Sequence, residues 1–542
     1  MGAETGWGDH LRRVELASAL LVTVLLIVVH VVVLLYAGAL WRDEVNVVNL
    51  ATKPSLALVW ELSEFDSFPM LWPLVLRGWV ALGLGGSDFG LRVLGFIVGV
   101  GILAVLWWSG RRLGHGVPMV SLLLFAASPT TLQVGDSLRG YGCGVVLMLF
   151  MLDSIWRVVE APRFPRVAVA AVAAVLSVHA VYYNSVILLA LGMGGVAVGL
   201  YRRVWKTVAV ILGIGALAAA SMLPYVDTMI RMQRWNGLVK RPIDLPWIGR
   251  KFYEAVGSSG WFVVWVWVAL LVLALGVWCW RAWSPAAREP QGERELAIFL
   301  GVAVVVGVVC YAWFLKTLSY TTEPWYYVTI MAFLAVSCDA AAHLAVRGME
   351  WLRVARVLAF VVMTMLISGN VWHAAHVRRT NVDLLAARLE TLSTRDDLIV
   401  VYPWWPGITF ARYYKGPTPW VTLPDVPQHD LHRYDTVKAK MLEPEPIRPI
   451  LERITSTLQT GHRVWLVAGF WFLKSGEEPG KLPRPPLEER GWNETPYVML
   501  WSRQVVSLIQ RRAERISQVA APAGTPVNPY ENLGLFVAQG WR

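Results

Sequence analysis

Immediately after the first long apolar run, two carboxylates stand side by side in Trp41-Arg42-Asp43-Glu44. A second acidic group, Glu61, Glu64 and Asp66, precedes Pro69, and a third carboxylate, Asp136, lies in Gly135-Asp136-Ser137-Leu138-Arg139-Gly140-Tyr141. A carboxylate can accept the proton of an attacking hydroxyl, and nearby cations can stabilise a departing phosphate. Arg139, Arg231, Arg234, Lys240, Arg241 and Lys316 are the candidate cations. His179, with Tyr182, Tyr183 and Asn184, could hydrogen-bond a phosphate or a sugar. Trp404, Trp405, Tyr413 and Tyr414 could stack on sugar rings. Each residue also has a plain structural reading: helix capping for Asp43 and Glu44, a solvated loop for the second acidic group, and an Asp136/Arg139 ion pair. For the aromatics the favoured reading is an interfacial belt or a domain core. The sequence contains no Walker loop, zinc-ligand spacing, His-Glu-x-x-His or serine nucleophile elbow, which counts against ATP-driven transport and the common hydrolases.

These residues must be positioned by a chain for which water is not the main solvent. Of 542 residues, 56% are apolar and 16% charged, against roughly a quarter charged in an ordinary globular protein. Residues 16–36, 91–108, 261–280, 296–314 and 354–372 are apolar runs near the ~20 residues that a helix needs to span hydrocarbon. The small residues Ala37, Gly38 and Ala39 imitate a signal cleavage site, but the preceding run is too long and is read as the first span. The net charge of +11 comes from Lys and Arg scattered through short loops, which speaks for membrane topology and against nucleic acid.

With the N-terminus in the cytoplasm, the basic loops fall on one side. They carry Arg111 and Arg112; Arg157, Arg163 and Arg166; Arg202, Arg203 and Lys206; Arg281 and Arg288; and Arg347 and Arg353. This alternation requires residues 71–84, a short apolar stretch holding Arg77, to be an interfacial helix on the outer face. The expectation is an α-helical polytopic membrane protein with about eleven transmembrane helices. Residues 1–375 form the membrane domain with an outer loop at 37–90, and residues 376–542 form a small extracytoplasmic α/β domain. In the latter, helix patterns at 382–392, 447–458 and 505–516 alternate with strand patterns at 398–402, 464–467 and 497–501. Residues 481–486 and 520–529 read as loops. Cys143, Cys279, Cys310 and Cys338 lie in or beside the spans and imply no disulfide framework.

The order of these motifs resembles the polyprenyl-phosphate-sugar-dependent membrane glycosyltransferases of the GT-C fold, in the branch of protein mannosyltransferases and aminoarabinose transferases. The residues that carry the resemblance are Trp41 to Glu44, Asp66-Ser67-Phe68-Pro69, Ser87-Asp88-Phe89-Gly90-Leu91-Arg92, Asp136 to Tyr141, His179 to Tyr183, and Glu323-Pro324-Trp325-Tyr326-Tyr327. Arg395-Asp396-Asp397-Leu398-Ile399-Val400-Val401 followed by Arg412-Tyr413-Tyr414 resembles the outer domain that bacterial members append. The resemblance implies a hexosyl- or pentosyltransferase that transfers a sugar with inversion from a lipid phosphate to an envelope glycan, lipid or protein on the non-cytoplasmic face of a bacterial cell membrane. Asp43 would be the base and Asp136 a second catalytic carboxylate, with Glu44, Asp66, Arg139, Tyr141, His179 and Tyr183 binding substrate. No cofactor is read from the residues themselves; the resemblance leaves room for a divalent metal, with Glu64 and Asp66 as its ligands. Two departures from the family pattern stand out: Ser67-Phe68-Pro69 replaces a His or Lys with a double proline, and no Arg precedes the late aromatics. The rival classes are a lipid-linked-sugar transporter or flippase, which would concentrate polar residues at mid-membrane, and a non-catalytic scaffold, in which Asp43 would be dispensable.

Overall fold

The structure is a computed structural model describing residues 4–113, 116–284, 291–346, 349–469, 472–474, 476–520 and 524–542. The loop positions Arg288 and Arg347 lie outside the described residues, as do residues 521–523 of the tail. The chain divides into two compact units.

The first unit, Met1–Leu35, Phe68–Val226 and Pro242–Ala375, is helical. Among the described residues, eight helices are long and apolar enough to cross a membrane: Gly8–Tyr36, Asp88–Leu113, Tyr141–Glu160, Asn184–Tyr201, Trp261–Trp283, Gln291–Leu318, Pro324–Ala345 and Glu350–Ala375. The chain is thus a multi-pass membrane protein. The sequence suggested about eleven spans, and the difference lies in three places. Trp205–Ser221 becomes a ninth span only when joined to the helix after it, and Phe164–Ala180 has 17 residues. The segment 119–135 is broken into Met119–Ser121, a wide-turn stretch Leu122–Ala126, and Pro129–Gly135. Pro129 has no N–H to donate to the preceding turn, so a new helix starts there. The stretch Leu71–Leu84 is helical and shorter than a span. Gly83, at φ 82°, occupies a left-handed conformation near its end.

The second unit comprises Tyr36–Ser67, Asp227–Arg241 and His376–Arg542. The division at 375/376 is where the sequence placed it, and residues 36–67 and 227–241 join the C-terminal region in this unit. Their backbone and side chains are hydrogen-bonded to it, as when the His432 N–H donates to Asn46 Oδ1 at 2.9 Å. Five strands form one sheet: β1 (Leu398–Tyr402), β2 (Trp420–Thr422), β3 (Val464–Ala468), β4 (Arg515–Val519) and β5 (Gly534–Gln539). Their order is β2-β1-β3-β5-β4. β2, β1 and β3 run parallel, with Val400 opposite Val421 and Leu466, and β5 runs antiparallel to both β3 and β4. All five residues of β1 are buried, as expected for a central parallel strand covered on both faces. The stretch 497–501, read as a strand, is the opening of a helix, Thr495–Arg512, whose buried Tyr497, Val498, Trp501, Val505 and Ile509 recur at helical spacing. That helix ends at Arg512, so the expected helix at 505–516 gives way to β4.

Candidate functional site

In the α/β unit, Trp41 is the N-cap of a helix, Arg42–Ala51, that carries Asp43 and Glu44 in its first turn. Glu44 is fully buried and folds back so that the Trp41 N–H donates to Oε2 at 3.3 Å. Its role here is helix capping. The Asp43 side chain keeps 27% of its surface exposed. Arg42 Nε lies 3.6 Å from Asp43 Oδ1, and His432 Nε2 lies 3.3 Å from the same oxygen. His432 is itself held in place. Its N–H is bound to Asn46, one turn along the Asp43 helix, and its ring packs beside Trp404 and Tyr434 at centroid distances of 6.0 and 5.9 Å.

Three further contacts fix the entry to this helix. The Leu40 N–H donates to the Tyr413 hydroxyl at 2.7 Å, and the Arg42 N–H donates to Glu531 Oε2 at 2.9 Å. The Arg42 guanidinium reaches the Tyr530 carbonyl at 3.0 Å. Glu531 is completely buried, and burial pushes its carboxyl up to about 7 against the pull of Arg42. Trp404 is likewise buried and donates to Glu494 at 3.2 Å, which makes it a core residue rather than a sugar platform.

The second acidic group is spread out. Glu64 lies 3.5 Å from Arg231, which also pairs with Asp227. The buried Asp66 accepts the Ser67 N–H at 2.9 Å. Among the described residues no group of three or more His, Cys, Asp or Glu is arranged to hold a metal ion, so Glu64 and Asp66 do not make such a set. Arg241 is engaged by Asn493 and Thr495.

In the helical unit the turn after Pro129–Gly135 presents Asp136 to His30, with His30 Nδ1 2.8 Å from Asp136 Oδ2 and both side chains buried. This turn sits on two glycines one helical turn apart. A Cβ on Gly95 would collide with the Asp136 carbonyl, and one on Gly99 would collide with the Asp136 carboxylate and the His30 ring. The Trp72 indole N–H donates to the Leu138 carbonyl at 2.8 Å and so pins the same turn.

Arg139 follows on that turn, buried, with its guanidinium 4.6 Å from the Phe68 ring centre. Tyr141 packs edge-on against the same ring at 4.7 Å. Tyr183 lies 5.8 Å from Tyr311 and 6.4 Å from Tyr326, ring to ring, and is within electrostatic reach of Arg139 and Tyr141. Arg139, Tyr141 and Tyr183 therefore form one buried cluster, with the late motif's half-buried Tyr326 beside Tyr183. His179 has both ring nitrogens engaged, with the Tyr225 hydroxyl and with Ser221, each at 3.1 Å.

No protein-family model matches the chain, and no curated protein matches its sequence. Among solved structures it is similar to ArnT of Cupriavidus metallidurans bound to undecaprenyl phosphate, at 15% identity and a TM-score of 0.47, over 83% of this chain and 92% of that one. It is also similar to the apo state of that protein, at 16% identity and a TM-score of 0.48, over 86% and 93%. A third likeness is to the oligosaccharyltransferase AglB of Archaeoglobus fulgidus in complex with an inhibitory peptide and a dolichol-phosphate. There the identity is 10% and the TM-score 0.45, over 83% and 69%.

Chemically, Asp43 is a partly exposed carboxylate with a histidine and an arginine on its flanks, an arrangement able to receive a proton. Asp136 is a buried carboxylate already bound to histidine. Sequence reasoning missed both histidines. His30 left a signal, since an ionisable residue inside an apolar run is seldom idle. His432 left none, because only folding brings it to a residue nearly four hundred positions away.

Proposed function

We propose that the chain is an integral membrane glycosyltransferase that moves a sugar from a polyprenyl-phosphate donor to an envelope glycan, lipid or protein on the non-cytoplasmic face. The observation that carries this reading is Asp43, which stays accessible while Glu44 beside it is consumed in capping. As base, Asp43 takes the proton of the acceptor hydroxyl. The oxygen attacks the anomeric carbon from the side opposite the phosphate, the bond from that carbon to the phosphate oxygen breaks, and the lipid phosphate leaves with the electron pair. The configuration inverts, and no sugar-enzyme bond forms. His432 holds the Asp43 carboxylate in position. Arg139, with the hydroxyls of Tyr141 and Tyr183, is assigned to the lipid phosphate, and Asp136 with His30 keeps the Arg139 turn in place. Inverting transfer of this kind is what the family resemblance implies, and the motifs Trp41 to Glu44, Asp136 to Tyr141 and Glu323 to Tyr327 carry that resemblance.

The test is transfer from radiolabelled undecaprenyl-phosphate sugars to an envelope extract, comparing the reconstituted wild type with Asp43→Asn. Loss of a general base is expected to lower the rate by about 10²- to 10⁴-fold. Absence of turnover with every donor, in wild type and variant that are both folded, would turn the reading to a transporter or a scaffold.

A further inference from the structure

A cavity of about 320 Å³ opens in the α/β unit, and neither Asp43 nor His432 lines it. It lies beyond the ends of β1 and β3, since Tyr402 closes β1 and Gly469 follows the last residue of β3. The segment leading into β5, from Pro529 to Leu533, forms another wall. Ligands of open α/β sheets bind at this carboxyl end of parallel strands. The volume falls in the range of small-ligand sites.

Its lining restricts the class of ligand. Tyr402, Trp405 and Tyr530 supply aromatic surface, and Thr495 and Asn532 supply polar groups. Among the described residues that line it, no side chain is charged, and the cation bonded to Thr495, Arg241, is held by Asn493 as well. A phosphate or carboxylate ligand would need a cation there, and a lipid tail would be placed against an amide and a hydroxyl. Rings offering flat apolar faces beside amide and hydroxyl groups suit a neutral sugar, whose C–H face stacks and whose hydroxyls hydrogen-bond. Two of these residues are anchored. Asn532 Oδ1 accepts from Asn381 at 3.1 Å, and Trp405 packs edge-on against buried Trp404 at 6.1 Å.

The cavity is also tied to the candidate base. Glu531 lies between the lining residues Tyr530 and Asn532 and accepts the Arg42 N–H, while the Tyr530 carbonyl accepts from the Arg42 guanidinium. Asp43 is the next residue in the chain. One short loop therefore forms a wall of the cavity and fixes the backbone of the base. We infer that this cavity is an acceptor subsite for a neutral glycan, which rests on the transferase reading above.

The experiment uses the full chain in nanodiscs, since maltoside and glucoside detergents would compete for the site. The probe is an array of neutral hexose and pentose oligosaccharides printed beside uronate- and phosphate-bearing ones. The wild type and Asp43→Asn are expected to retain the same neutral glycans. Trp405→Ala and Tyr530→Ala are expected to weaken retention at least tenfold with unchanged melting midpoints, and Trp405→Phe to restore most of it. Retention of acidic glycans only, of no glycan at all, or equal retention by a folded Trp405→Ala protein would each overturn the inference. Transfer assays run in parallel separate the two readings. Glycan binding without transfer by the wild type would sink the transferase reading and leave a neutral-glycan site that is not an acceptor subsite, whereas transfer without glycan binding would sink the cavity assignment and leave the transferase reading standing.

Discussion

Glu531 gives the α/β unit a pH dependence whose size follows from its burial. In the fold its carboxyl is raised from an ordinary 4.5 to about 7, chiefly by burial, with Asp43 adding to the rise and Arg42 opposing it. At 1.36 kcal/mol per pH unit, this difference is worth ~3 kcal/mol. Because the folded value is the higher one, the stability is present below 4.5 and is lost as pH rises towards 7. Roughly 2 kcal/mol of the loss falls between pH 5 and 7.5. Glu494, also buried and raised to about 7, acts with the same sign. His429, lowered by burial to about 4, acts with the opposite sign below 6.5, so the wild-type slope mixes all three. Glu531→Gln isolates one of them, since the amide oxygen still accepts the Arg42 N–H but no longer ionises. In urea unfolding of the full chain followed by tryptophan fluorescence, the variant should gain roughly 2 kcal/mol on the wild type from pH 5 to pH 7.5. A stability difference that stays constant over that range would refute the reasoning.

Gly99→Ala is expected to cost ~1–3 kcal/mol by forcing the Asp136 carboxylate and the His30 ring apart, whereas Gly101→Ala, whose added Cβ would meet only Val146 at 3.7 Å, should melt like the wild type. Equal melting midpoints for the two variants would show that the Asp136 turn can move aside. His432→Gln should lower kcat for sugar transfer about tenfold, ~1.4 kcal/mol, with little change in KM, because His432 orients Asp43 and the base acts only in the chemical step. An unchanged kcat in a folded His432→Gln protein would remove the histidine from the site.

The helical architecture was legible because hydropathy acts over twenty residues at a time and local detail averages out. It failed at 119–135, where the composition is that of a span but Pro129 interrupts the backbone ladder. In the α/β unit the buried strands β1 and β3 were readable as apolar runs. β2 is three residues long, and the edge strand β4 exposes Arg515 and Gln518, so neither carries a strand pattern. Residues 497–501 misled because Tyr, Val and Trp favour strands, yet the same residues sit on the buried face of a helix. Packing overrode propensity there.

Residue type and position put Asp43, Asp136 and Arg139 among the candidates, as charged groups at the ends of apolar runs. The same logic could not tell Asp43 from Glu44, which differ by one methylene. Position on the helix separates them. At the third residue of the first turn, a glutamate has the length to return to the N-cap N–H, and Glu44 does so. Asp43, one position earlier, is left facing His432 and Arg42. Its immediate surroundings come from three remote parts of the chain: Tyr413 holds Leu40, Glu531 holds Arg42, and His432 is tied to Asn46. The C-terminal region is therefore part of the structure that orients the candidate base, although its strands and helices read in the sequence as an appended domain.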